Sequence, residues 1–475
     1  MAADAKRSRP LFEASAFESF RFLTRELDAR GRVTLRYALD DAIFFVEEFD
    51  LPVEDVSRKV DDAQLDGLLS LLHWVAGVSY FKTALPPVVS CETGAPAPAA
   101  AALLEALYSE GLGELAYVNR LDALPRPVFA TAPAMSTVGS YQPPPPAPSP
   151  ALASQPVRRG DEPLRRTLVP IGGGKDSAVA LEIARRSGRE VGLFSVGDAA
   201  PILRTVEVAG LPHLLARRRL DPGLGALNAA GAINGHVPVT AIVSCVALLT
   251  AALNGFDAVA MANERSASSG NVVWDGVEVN HQFSKGLRAE RLLSAAVSEL
   301  AGAPRVFSLL RPASELAIAR AFARMGRYDG AFASCNAIFR TDPALRASSW
   351  CCDCPKCRFV FLALAPFSEP ERLREVFGAD LLADERQFAG FALLTATGGH
   401  KPFECVGEEQ ESLAAIRLLA KDARWSGHSV VKRLVAEVLA QQPAGAGDPG
   451  EVLALSDDHD VPEVFLADVR AVLGA

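Results

Sequence analysis

Residues 171–177 read Ile-Gly-Gly-Gly-Lys-Asp-Ser, preceded by the short apolar run Thr167–Ile171 and followed by a helical pattern over Ser177–Arg186. Consecutive glycines let a backbone come close to a phosphate chain. The helix start that follows presents unpaired N–H groups and a positive dipole end to an anion. Lys175 adds a point charge, Ser177 a hydroxyl donor and Asp176 a carboxylate suited to Mg²⁺. A Walker loop needs Gly-x4-Gly-Lys-Ser/Thr and a dinucleotide fingerprint needs Gly-x-Gly-x-x-Gly; this segment is neither. The plainer explanation, a glycine turn with an Asp/Ser cap, accounts for the turn but not for all six residues together.

A second concentration is Cys351-Cys352-Asp-Cys354-Pro-Lys-Cys357. Four of the eight cysteines fall within seven residues, which reads as metal chemistry in a reducing compartment rather than a disulfide scaffold. Cys351, Cys354 and Cys357 have Cys-x2-Cys-x2-Cys spacing, and Cys335 upstream supplies a fourth ligand for tetrahedral Zn²⁺. Cys352 is an extra thiol that could replace Cys351. Four thiolates leave no open coordination position, so the expected metal staples the fold.

Three polar stretches complete the chemistry. Asn263-Glu264-Arg265 follows one apolar run, and Asn280-His281-Gln282-Phe283-Ser284-Lys285 precedes a helical pattern. Arg265 and Lys285 can bind carboxylate or phosphate, while Glu264 and His281 can move protons. His400-Lys401-Pro-Phe-Glu404-Cys405 is the third patch. Taken singly, each charge could equally be an ordinary loop residue.

These segments need a frame that brings them together. Strand patterns at Thr167–Ile171, Glu190–Val196, His213–Leu220 and Ala258–Met261 alternate with helical ones at Ser177–Arg186, Ala199–Ala209 and Val239–Leu253. That alternation predicts an α/β fold with a parallel sheet covered on both faces, and ligands at the C-terminal strand ends. Before it, residues 1–140 read as a mixed, mainly helical domain: Phe17–Ala29, Ala63–Ser79 and Ala99–Gly111 carry helical spacing, with short runs at Arg32–Leu39 and Ala116–Val118 that suit strands. Residues 141–163, with Gln142-Pro-Pro-Pro-Pro-Ala-Pro-Ser-Pro150, read as a stiff linker. The nucleotide domain is expected over 164–362 and a mainly helical region over 363–475.

The 475 residues carry 48 basic and 57 acidic side chains, a formal charge of −9, which argues against a general nucleic-acid or anionic-membrane binder. No signal peptide is read at the N-terminus. Pro222–Phe256 lacks Asp, Glu, Lys and Arg, but its proline, hydroxyl residues and Asn254-Gly255 stop suit a buried helix better than a bilayer span. A cytoplasmic protein is expected; its oligomeric state is left open.

The 171–177 segment resembles the PP-loop of ATP pyrophosphatases, whose Ser-Gly-Gly-x-Asp-Ser signature it matches except that Gly172 replaces the first serine. That resemblance implies ATP·Mg²⁺ on Gly172, Gly173, Gly174, Lys175, Asp176 and Ser177, with Asp176 toward Mg²⁺, and adenine near Phe194–Val196. The cysteines are similar to the zinc site of the PP-loop enzyme 7-cyano-7-deazaguanine synthase, although fifteen residues separate Cys335 from Cys351. In combination, the loop, the 263–265 and 280–285 stretches, Cys335-Asn336, Trp350–Phe359 and His400–Glu408 resemble the UDP-N-acetylmuramoyl-L-alanyl-L-glutamate epimerase family over residues 165–420. The resemblance implies ATP-dependent inversion of a glutamate centre in a UDP-muramoyl dipeptide, in peptidoglycan precursor synthesis. Asn263, Arg265 and Lys285 would then hold substrate, and His281, Glu264 or Cys405 would exchange the proton. The rivals are another PP-loop enzyme, one that thiolates tRNA or builds a nitrile, and a zinc-stapled ATP-binding regulator without turnover.

Overall fold

The computed structural model describes residues 12–54, 60–131, 164–274, 276–340, 346–397 and 399–474; the proline-rich linker at 141–163 lies outside them. In chain order the strands are β1 (Ser19–Leu27), β2 (Arg32–Leu39), β3 (Ile43–Asp50), β4 (Val88–Cys91), β5 (Arg166–Pro170), β6 (Glu190–Val196), β7 (His213–Arg219), β8 (Ala258–Met261), β9 (Val272–Trp274), β10 (Val277–Val279) and β11 (Arg305–Ser308). Nine of them form one mixed sheet in the order β11-β8-β5-β6-β7-β3-β2-β1-β4, while β9 and β10 make a separate hairpin.

The run β11-β8-β5-β6-β7 is parallel throughout. Apart from the partly exposed β7 at its margin, its strands are buried on both faces, and the side-chain period of two divides their residues between two cores. Val169, Leu193, Ala260 and Phe307 pack on one face with helices Lys175–Arg186, Glu315–Ala323 and Pro355–Leu364. Leu168, Phe194, Val259 and Val306 pack on the other with Asp62–Ala76, Val239–Asn254 and Leu287–Ser298. The charge-free segment that invited a membrane test is thus the buried helix Val239–Asn254. Among the described residues no helix is long and apolar enough to cross a membrane.

Strand order fixes where a ligand belongs. From β5 the chain steps to β6 and β7 on one side, then crosses to β8 and β11 on the other. The crevice between the C-terminal ends of β5 and β8 is therefore the topological switch point, the usual ligand position in such sheets. The glycine loop leaves β5 there, and Asn263–Arg265 leaves β8 beside it.

The N-terminal region is mixed, but one of its expected helices is a strand. Phe17–Ala29 forms β1 because Phe20 and Phe22 are both buried while Arg21 between them is not, an alternation that outweighs the helical spacing of its other apolar residues. Conversely, Ala116–Val118 lies in the short helix Gly113–Val118. β3 pairs antiparallel with β7, so these strands continue the parallel sheet. Arg217, Arg218 and Arg219 face Asp198, Glu47 and Glu48/Asp50 respectively, and the last two pairs tie β7 to β3. This basic triplet is committed to acids rather than offered to a polyanion. The C-terminal region is helical and wraps the face that bears Phe307, with Phe465, Val469 and Leu473 in the same core.

Candidate functional site

At Gly173 and Gly174 the glycine loop is held by close contacts, while Gly172 stands in open space. Gly173 has φ +79°, and a Cβ there would sit 2.8 Å from the backbone of Pro201 and Ile202. A Cβ on Gly174 would lie 2.6 Å from Ser334 Oγ. Ile171 N–H donates to Phe194 O (2.7 Å) and Ala333 N–H to Gly173 O (2.9 Å), so the loop is anchored on both sides. Helix Lys175–Arg186 starts immediately after it, and Ser177 Oγ donates back to Gly174 O at 3.0 Å.

Lys175 is buried, with its ammonium between Asp176 and Glu315. Burial pushes Asp176 up, but Lys175, with Lys356 and Lys285 beyond it, outweighs this and holds the carboxyl below its ordinary value. Burial and the neighbouring Asp176 charge raise Glu315 to about 7. Opposite signs alternate through this pocket: Lys356 Nζ lies 4.0 Å from Glu315, and Lys285 feels Cys405, Glu264, Asp176 and Glu315. Burial alone would lower Lys285, yet those anions keep it above the ordinary lysine value. Glu264 is 2% exposed, and its Oε1 has no hydrogen-bond partner among the described residues.

Three segments then meet at His281. Its Nδ1 contacts a carboxylate oxygen of Glu114 on the short helix Gly113–Val118, and the Cys405 thiol interacts electrostatically with its ring. His236 lies against it, with ring centroids 4.2 Å apart. Burial would depress His281, but Cys405 and Glu114 lift it to about 9. Burial would likewise raise Cys405; Lys285, His281 and Lys356 instead bring it down to about 6. Between those values the favoured pair is thiolate and imidazolium. Glu114, His236 and His281 offer three ligand atoms within 4.8 Å, the count a metal would need, but Glu114 and Cys405 already engage the His281 ring.

Buried hydrogen bonds fix these groups. Asn271 accepts from His281 N–H (2.9 Å) and donates to Pro402 O (2.7 Å), joining the histidine loop to the segment that carries Cys405. Lys356 Nζ donates to the Cys405 carbonyl. Arg311, fully buried, pairs with Glu290 at 2.7 Å and donates to the carbonyls of Glu264 and Lys285. Breaking such a buried pair costs about 3–5 kcal/mol, so this clamp is rigid.

Not every expected residue reaches the cluster. The Arg265 guanidinium donates to the carbonyls of Ala454 (3.0 Å) and Val452 (3.1 Å), which ties it to the C-terminal region. Asn263 faces a small internal cavity with Ser244, Ser284 and Ser308. Glu114, Glu315 and Arg311 carry no motif that a sequence reading could find, and Lys356 lies within the cysteine run without being singled out there; three-dimensional proximity picks out all four.

Cys335, Cys351, Cys354 and Cys357 place all four sulfurs within 4.8 Å of one another, with Cys351–Cys357 at 3.7 Å and Cys354–Cys357 at 3.5 Å. Tetrahedral Zn–S bonds of about 2.3 Å require S···S separations of about 3.8 Å, so the set fits such a metal. Cys352 has φ +57° and turns its thiol to Phe377 O (3.3 Å), outside the set.

Comparison with known proteins covers most of the chain. A family model described as the MurL N-terminal domain matches residues 11–309, and one described as the MurL C-terminal domain matches 331–448. A Micromonospora protein named UDP-N-acetyl-alpha-D-muramoyl-L-alanyl-L-glutamate epimerase is 45% identical over 94% of this chain and 97% of its own. Proteins of the same name from Salinispora tropica and Xanthomonas oryzae pv. oryzae are 47% and 40% identical, covering 88% and 97% of this chain and 88% and 98% of theirs.

Proposed function

The chain belongs to the MurL epimerase family, and from that membership we propose that it inverts the glutamate centre of UDP-MurNAc-L-Ala-L-Glu in an ATP-dependent reaction. The observation that carries this reading is one chain of contacts: Lys175, in the glycine loop, pairs with Glu315, and Lys356 Nζ lies 4.0 Å from Glu315 and donates to the Cys405 carbonyl. The glycine loop and the segment that bears Cys405 are thereby joined through Glu315 and Lys356.

Their proximity matches a chemical need. The Cα–H of a free glutamate carboxylate is a very weak acid, because its carbanion would stand beside an existing negative charge. In the proposed sequence a carboxylate oxygen attacks the α-phosphorus of ATP, forming the acyl-adenylate and releasing pyrophosphate. Gly173 and Gly174 admit the phosphates to the backbone, Lys175 and the helix start balance their charge, and Asp176 would hold Mg²⁺, which when bound offsets the charge on the departing pyrophosphate. The adenylated carbonyl can then accept the electrons of the Cα–H bond. Cys405 thiolate takes the proton, with His281 and Lys285 sustaining its charge, and a proton delivered to the opposite face inverts the centre. Water cleaves the adenylate to carboxylate and AMP.

The buried Glu264, with an unpartnered oxygen near Lys285, is the candidate for contacting a substrate N–H or for proton delivery. Cys335, Cys351, Cys354 and Cys357 would hold a structural Zn²⁺ that sets the start of helix Pro355–Leu364 and hence Lys356. The adenylation step is tested by pyrophosphate exchange. Labelled pyrophosphate should enter ATP only when the UDP-muramoyl dipeptide is present, and exchange that ignores the dipeptide would overturn the acyl-adenylate.

A further inference from the structure

The segments that carry Glu114, His281 and Cys405 each continue outward to aromatic side chains. Tyr117 lies one turn beyond Glu114, Trp274 ends β9 in the hairpin before His281, and His400 and Phe403 precede Cys405. Their rings meet: Tyr117 lies 6.3 Å from Trp274 at 76°, 5.4 Å from Phe403 and 6.3 Å from His400. Beside them opens a recess of about 440 Å³ lined by Tyr117, Val118, Arg120, Leu121 and Trp274. Arg120 is exposed and its guanidinium has no hydrogen-bond or ion-pair partner among the described residues, unlike those of Arg21, Arg25 and Arg288. Its φ of +55° is the left-handed turn that closes helix Gly113–Val118, where Arg120 N–H donates to Tyr117 O and Leu121 N–H to Ala116 O, so the cap fixes where the side chain leaves the backbone.

We propose that this recess is the subsite for the nucleoside diphosphate end of the substrate, with Trp274 and Tyr117 packing against the base and Arg120 forking onto the diphosphate. The inference rests on the UDP-muramoyl dipeptide reading above. An aromatic corner accepts a planar base without needing sequence-like readout, and a free guanidinium matches phosphate oxygens bidentately. Reach is consistent: Val277 stands opposite Trp274, and His281 lies four residues further, at most roughly 14 Å of chain. Ribose, diphosphate, pyranose, lactyl group and alanine separate base from glutamate, enough linked units to cross that interval. The recess also gives the N-terminal region a second task besides supplying Glu114, since Tyr117, Val118, Arg120 and Leu121 all belong to it.

The test is titration of the full-length protein with UDP alone, its ATP site saturated with ATP·Mg²⁺, against ADP as control under the same saturation, by calorimetry. UDP should bind the wild-type chain, and Arg120→Ala and Trp274→Ala should each weaken it about tenfold or more. The same variants should lower kcat/KM for the dipeptide substrate by a similar factor while the KM for ATP stays within twofold. Absence of UDP binding, binding shared equally with ADP, or variants that bind UDP like wild type would each overturn the subsite. If UDP binding depends on Arg120 and Trp274 but no epimerisation occurs, the reaction assignment fails and the subsite stands. An active epimerase whose variants are unaffected leaves the reaction standing and removes the subsite.

Discussion

Glu114 bonds Nδ1 of His281, a residue 167 positions later in the chain, and so fixes the ring that faces the Cys405 thiol. The carboxylate comes from the N-terminal region, the imidazole from the loop before helix Leu287–Ser298 and the thiol from the segment before helix Glu409–Lys421. A carboxylate, an imidazole and a thiol are thereby brought together from three distant stretches.

The pair should govern the pH dependence. Cys405 must be ionised to act as base, and its value of about 6 places the acid limb of kcat/KM there. His281 must stay protonated to sustain the thiolate, and its value of about 9 places the alkaline limb. Glu114→Gln removes an anion that favours the imidazolium, so the alkaline limb should move to lower pH while the acid limb moves little. Cys405→Ala should reduce turnover by about 10²–10⁴-fold. An unmoved alkaline limb in Glu114→Gln, measured in a full pH–rate profile, would separate Glu114 from the chemistry.

Loop glycines should differ sharply in tolerance. Gly173→Ala forces a side chain into the left-handed region and against the Pro201–Ile202 backbone, at a cost of about 1–3 kcal/mol for the conformation alone. Gly172→Ala meets nothing within 4 Å and should leave folding stability unchanged. Denaturant unfolding of the two variants measures the contrast; equal stability would contradict the loop geometry.

The thiol cluster predicts one zinc per chain. Cys351→Ser should lose the metal and lower the melting temperature, whereas Cys352→Ser should retain the metal, because its sulfur points to Phe377 O. Metal content by mass spectrometry, paired with thermal melts, decides between the two cysteines. Zinc lost from Cys352→Ser and kept in Cys351→Ser would reverse the assignment.

Local order was legible where one physical signal dominated. The parallel strands β6 and β8 coincide with their apolar runs, and the glycine segment falls between β5 and helix Lys175–Arg186, where the strand-to-helix pattern puts it. β1 was obscured because its buried Phe20 and Phe22 sit among apolar residues that also fit a helical period, and its place beside β2 and β4 is a long-range matter. Arg265 looked like a substrate ligand because charge near a strand end is suggestive, yet Ala454 and Val452 capture it from a segment nearly two hundred residues away. Glu114 and Arg311 left no trace at all: their roles come from what they touch, and contacts across the fold have no spacing to read.

Solvent deuterium incorporation probes ATP-dependent inversion at the reacting carbon itself. Zinc-replete protein incubated with UDP-MurNAc-L-Ala-L-Glu, ATP and Mg²⁺ in D₂O should place deuterium on the glutamate Cα of the inverted product while forming AMP and pyrophosphate, and Asp176→Ala should abolish all three signals. Inverted product without deuterium at Cα, or deuterium exchange that proceeds equally well without ATP, would contradict this mechanism.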